Sequence, residues 1–109
     1  MQIYGDFYVG DNLKLGRAKI KRRIQRNRSG KDWFYISLST MKDGMLEIIP
    51  AALTRYSWYP SKDLQIVGVE KGYYHALLLV KQMTSDVFEA TGDCKLKEYF
   101  LSRMERSKE

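Results

Sequence analysis

Apolar and polar positions alternate over the first ten residues, with Ile3, Gly5, Phe7 and Val9 in one set and Tyr4, Asp6 and Tyr8 in the other. A period of two predicts a half-buried β-strand. Two further strand-like runs flank Asp43-Gly44 in "DWFYISLSTMKDGMLEIIPAAL". Asp-Gly tolerates the positive φ angles of a type I′ turn, so the segment reads as a hairpin. A two-residue turn would set Lys42 opposite Met45, Leu38 opposite Ile49, Ile36 opposite Ala51 and Phe34 opposite Leu53, which makes one face continuously apolar. Pro50 has no N–H to donate and places this second run at a sheet edge or at a bulge. "RYSWYPSKD" reads as a loop, with Pro60 and Ser61 to Asp63 as turn residues, and Leu64 to Val69 reads as a short apolar strand.

From Gly72 the period lengthens. Ala76, Val80, Met83, Val87 and Ala90 recur in steps of four and three, Leu77 and Leu79 widen the stripe, and Gly92 follows as a terminator. This predicts a helix over about 72–91. Asp93 is placed to cap a second helix over about 94–105, whose Leu96, Tyr99, Phe100 and Met104 share a face. The segment 14–31 fits either period. As a helix it aligns Leu13, Ile20 and Ile24 across Gly16; as a strand it alternates Ala18, Ile20 and Ile24 with Lys19, Lys21, Arg23 and Gln25. The turn signal "RSGKD" directly before "WFYISLS" favours the strand, one arm of a basic ribbon. The predicted class is α+β: an antiparallel-rich sheet of about four or five strands, then two C-terminal helices, the long one packed on the sheet.

Composition narrows the reading. A chain of 109 residues with 44% hydrophobic positions and two prolines has the makeup of a single globular domain spanning 1–109. One cysteine excludes an internal disulfide, and the absence of a Cys or His cluster leaves no expected metal site or cofactor. "MQIYGDFYVG" lacks the basic and long apolar regions of a signal peptide. The longest apolar run, Ala76 to Val80, falls far short of the roughly 20 residues of a spanning helix. A cytoplasmic protein with no membrane partner is expected.

Charge changes the picture most. Residues 1 to 55 hold eleven Lys and Arg against five Asp and Glu, whereas 56 to 109 hold eight against eight, so the net +6 lies in the first half. Lys14 to Lys31 alone carries nine basic residues and no acid. A focused positive field attracts polyanions. Lys19, Lys21, Arg22, Arg23, Arg26 and Arg28 are therefore candidate phosphate contacts, and in the ribbon Trp33 and Tyr35 would lie beside Lys21 and Arg23 as base-stacking residues. The competing reading is a solvated edge strand kept basic against edge-to-edge pairing.

Tyr56, Trp58 and Tyr59 form an aromatic loop. It is either a partner-binding hot spot or a cover folded over the end of the core. Cys94 lies near Lys95 and Lys97 but has no recognisable base, and His75 lies off the apolar stripe with no second His. Asp86 and Glu89 read as a solvated helix face. Asp43 and Glu47 lack the Lys that a nuclease metal site requires, since Ile49 stands there. "GVEKG" has the spacing of neither a dinucleotide fingerprint nor a P-loop. No catalytic constellation emerges. The expectation is a small non-catalytic binding module for nucleic-acid backbone or another polyanion. The alternative is a protein-interaction or structural subunit, such as a homodimer formed through the Pro50 edge or the aromatic loop.

The strings "IYGDFYVG", "LEIIPAAL", "VGVEKGYYHALLLVKQMT" and "TGDCKL" make the chain resemble short bacterial proteins of about this length without an assigned activity, some of them carried on mobile elements. The resemblance implies a bacterial cytoplasmic origin and no particular chemistry.

Overall fold

Alternation, helical period and turn residues produce four strands and three helices in the computed structural model, which describes residues 1–38, 45–93 and 95–107. In chain order these are β1 (Gln2–Val9), α1 (Arg17–Gln25), β2 (Trp33–Leu38), β3 (Leu46–Pro50), two short 3-10 turns (Ala51–Arg55 and Ser61–Asp63), β4 (Gln65–Lys71), α2 (Tyr73–Thr91) and α3 (Leu96–Ser107). The fold is α+β, as the patterning predicts, but the sheet is mixed. Its order is β1-β4-β2-β3, with β2 antiparallel to both neighbours and β1 parallel to β4. The basic segment supplies a helix in place of the expected strand, and this element carries the chain from β1 to β2.

The helix wins because its two isoleucines lie one turn apart. Ile20 and Ile24 are 0% and 3% exposed, and full burial of such a side chain stabilises by roughly 1.5–3 kcal/mol. A lone apolar pair at i, i+4 suffices when both members reach the core.

β2 and β4 are central and covered on both faces. On one face Gly68 of β4 approaches Ile36 of β2 and Met83 of α2, and the Phe34 ring meets Tyr73 edge-on at 5.6 Å. Side chains alternate along a strand, so Tyr35 points the other way, where its hydroxyl shares a hydrogen bond with Ser29 just after α1. α2 and α1 thus cover opposite faces. β1, an edge strand, is half-buried, with Tyr4 and Phe7 inside and Gly5 and Asp6 exposed. Tyr4 and Tyr8 meet Phe100 of α3 edge-on at 6.0 and 6.2 Å, while the Phe7 ring lies under the Arg17 guanidinium of α1.

β2 and β3 pair as the hairpin pattern requires, in a different register. Phe34 faces Pro50, Ile36 faces Ile48 and Leu38 faces Leu46, three residues away from the two-residue-turn alignment. An odd shift exchanges faces, so Ile49 leaves Leu38 and joins Tyr35. β3 stops at Pro50, which supplies no donor, and the chain coils into a 3-10 turn where Thr54 Oγ1 donates to the Ala51 carbonyl at 2.7 Å. Ala51 and Leu53 therefore never reach the strand positions assigned to them. Asp43-Gly44 lies outside the described residues. The edge position expected of the Pro50 strand is observed, with β3 last in the sheet.

The C-terminal half follows its pattern closely. α2 buries Ala76, Leu79, Met83 and Val87 and ends at Gly92, whose φ of 81° is left-handed and whose N–H donates to the Phe88 carbonyl at 2.7 Å. α3 buries Leu96, Phe100 and Met104. Two positions depart from the reading: Leu77 and Ala90 face solvent. Among the described residues no helix is long and apolar enough to cross a membrane.

Candidate nucleic-acid interface

α1 begins after Gly16, which is extended (φ −68°, ψ 150°), with no side-chain cap and no acid in its first turn. It therefore gains nothing from its own N-terminus, and anchoring falls to Ile20, Ile24 and Arg17. Arg17 is absorbed structurally: its Nε donates to the Phe7 carbonyl at 3.1 Å and its guanidinium sits 5.6 Å from the Phe7 ring centroid.

With Ile20 and Ile24 turned inward, helical geometry assigns the remaining positions. Lys19, Arg22, Arg23 and Arg26 stand at i, i+3, i+4 and i+7, one stripe on the outward side. The helix end adds a fifth cation. Asn27 N donates to the Ile24 carbonyl at 3.1 Å and Arg28 N to the Arg23 carbonyl at 2.8 Å, the paired bonds of a Schellman termination. Asn27 takes the left-handed conformation this requires, φ 58°, which turns the chain back along the helix. Lys19, Arg22, Arg23, Arg26 and Arg28 consequently line one shallow depression of about 310 Å³.

Lys21 lies on another side of α1. With Ile24, Gln25 and Asn27 it borders a larger cleft of about 610 Å³, lined also by Met1 to Ile3, Thr54 and Ser61. Thr54 and Ser61 bracket the aromatic loop, so the sheet-edge connection and the basic helix are neighbours. Arg55 strengthens the junction, its Nη2 donating to the Ser29 carbonyl. The sequence reading assigned Gln25, Asn27 and Arg55 no role. Asn27 carried a legible signal, since Asn after a helical stretch is a C′ residue; Arg55 carried none.

The aromatic residues sort in the reverse of expectation. Trp33 and Tyr35 are 4% and 1% exposed, because β2 is a central strand covered on both faces, and neither ring is offered to a base. Trp33 packs against Gly30, where a Cβ would crowd its indole. Burial raises the Tyr35 phenol above its ordinary pKa. Tyr56 and Trp58 are instead 55% and 70% exposed. Their rings stack with centroids 5.7 Å apart and planes 26° apart. Tyr59 is half-buried against the core and meets Trp58 edge-on at 6.0 Å.

No protein family, curated protein or solved structure matches the chain. The geometry alone carries the functional reading.

The other candidates lie away from α1. His75 is exposed, meets the Tyr74 ring edge-on at 5.7 Å and borders a depression of about 310 Å³ with Asp11 and Glu70. Asp86 accepts hydrogen bonds from Tyr8 and from Gln82, both at 2.8 Å. Glu70 of "GVEKG" is buried in β4, where it accepts from the Lys71 N–H at 2.7 Å and packs so closely on Gly10 that a Cβ there would overlap its carboxylate. Cys94 lies outside the described residues.

Proposed function

We propose that the chain is a non-catalytic module that binds the backbone of nucleic acid through α1 and the turn after it. The observation that carries this is the five-cation depression of Lys19, Arg22, Arg23, Arg26 and Arg28, drawn from a stretch that contains no acid. Like charges at i, i+3 and i, i+4 each cost about 0.2–0.5 kcal/mol. The stripe contains four such pairs, so α1 carries roughly 1–2 kcal/mol of self-repulsion, held in place by the burial of Ile20 and Ile24. A polyanion relieves that repulsion and releases its own counterions. An aggregation-blocking edge strand does not account for the cluster, because the residues sit on a helix.

The test is a titration of labelled oligonucleotides across a salt series. Each phosphate contact contributes about 0.7–0.9 to the slope of log affinity against log salt. Replacing Arg22, Arg23 and Arg26 together with Ala is expected to weaken binding and to flatten that slope by about 2–3. Binding and slope equal to those of the unsubstituted chain would remove this surface from consideration.

A second reading, self-association, is favoured by a different observation. Tyr74, Leu77, Leu78 and Phe88 are all exposed on α2, opposite its buried stripe.

A further inference from the structure

The basic helix does not stand alone. Thr54 and Ser61 border the same cleft as Lys21, Gln25 and Asn27, and Arg55 is bonded to the carbonyl of Ser29 just past α1. The residues between Thr54 and Ser61 include Trp58, the most exposed of the large apolar side chains among the described residues, together with Tyr56. The loop that presents them is internally braced, with Tyr59 N donating to the Tyr56 carbonyl at 3.1 Å and Ser61 N to the Tyr59 carbonyl at 2.8 Å. Tyr59 anchors it to the core. The two rings form an offset stack, Tyr59 meets Trp58 edge-on, and more than half of each stacked residue's surface is open to solvent.

We infer that this composite surface takes single-stranded nucleic acid in preference to duplex, with a base stacking on the Trp58–Tyr56 pair while the backbone crosses α1. The inference rests on the backbone-binding reading above. It follows from what each half can recognise. Cations attract phosphates of any strand, but an aromatic face is used only by a base that can leave its partner, and in a duplex the bases are held inside the helix. The cleft of about 610 Å³ between the Lys21 side of α1 and the two ends of the aromatic loop, lined also by Met1 to Ile3, is within the size range of small-ligand sites. Its polar rim of Lys21, Gln25, Asn27, Thr54 and Ser61 has donors and acceptors for a sugar or a base edge. Stacking makes no demand on base identity, so the binding is tolerant of sequence.

The probes are a labelled oligo-dT and a DNA duplex of equal length, followed by anisotropy at low and moderate salt. The unsubstituted chain is expected to bind oligo-dT more tightly than duplex, with quenching of tryptophan emission. Trp58→Ala is expected to weaken oligo-dT binding roughly 5- to 150-fold while leaving duplex binding and the salt slope unchanged. Trp58 is exposed, and the chain's other tryptophan, Trp33, is buried. The emission of Trp33 therefore reports that the variant is folded, and the oligo-dT quenching should vanish. If Trp58→Ala binds oligo-dT as the unsubstituted chain does while the Arg22, Arg23 and Arg26 variant loses it, the stacking inference is wrong and the backbone reading stands. Tighter binding to duplex than to oligo-dT likewise overturns the inference alone. No binding to either probe at low salt overturns both.

Discussion

Tyr8 shows how a single side chain joins three elements. It lies on β1, its ring touches Phe100 of α3, and its hydroxyl donates to Asp86 Oδ2 of α2 at 2.8 Å. Burial, and then the hydrogen bond to Asp86, raise the phenol well above its ordinary value; burial moves Tyr35 and Tyr59 in the same direction. The sign follows from proton linkage. Below the unfolded value of about 10 the phenol is neutral in both states and its contribution is complete. Above it the unfolded chain loses protons that the folded chain keeps, and stability falls as pH rises. Denaturant unfolding at neutral pH and at about pH 11 is expected to show this loss. Tyr8→Phe is expected to be about 1 kcal/mol less stable at neutral pH and to lose less on going alkaline. Parallel losses in both proteins would show that Tyr8 is not one of the groups responsible. At this scale the sequence was only partly readable. Alternation places Tyr8 on a strand face, but its partner lies 78 residues away, and no local signal names it.

α1 is the element on which sequence and structure part. Its charge was evident, its conformation was not, because Ile20 and Ile24 satisfy either period until their surroundings are known. "RSGKD" has the composition of a hairpin turn, whereas the chain reverses earlier, in the Schellman turn at Asn27. That difference decides which residues act together: a strand would have divided the cations between two faces, while the helix gathers Lys19, Arg22, Arg23, Arg26 and Arg28. If α1 is held against its own repulsion, weakening the repulsion must stabilise the fold. Arg22→Gln with Arg26→Gln is expected to raise unfolding stability by about 0.5–1 kcal/mol at low salt, with the gain shrinking as salt screens the charges. A variant less stable than the original at low salt would mean that the arginines support α1 through contacts rather than burden it.

Across the whole molecule, two surfaces stand apart from the core. One is the α1 face with the aromatic loop beside it; the other is the outer side of α2. The second reading expects a dimer whose population grows with concentration in sedimentation and which Leu78→Glu returns to monomer. A monomer at every concentration would exclude self-association through that face. Mixed α+β folds with helices on both sheet faces bury their central strands completely. This is why Trp33 and Tyr35 are buried although they follow the basic segment directly in sequence.

What the sequence by itself determined were the quantities that depend on near neighbours: the long helix and its Gly92 stop, the buried face of α3, the β2–β3 pairing, the edge position of Pro50 and the concentration of charge in residues 14–31. Period, turn chemistry and backbone donors operate within a few residues, so they can be read from a linear string. The tertiary structure alone decided the parallel β1–β4 pair, the hairpin register, the helical state of α1 and the exchange of roles between the buried pair Trp33 and Tyr35 and the exposed pair Tyr56 and Trp58. Each of these depends on which distant surface covers a residue, and burial is a property of the assembled fold.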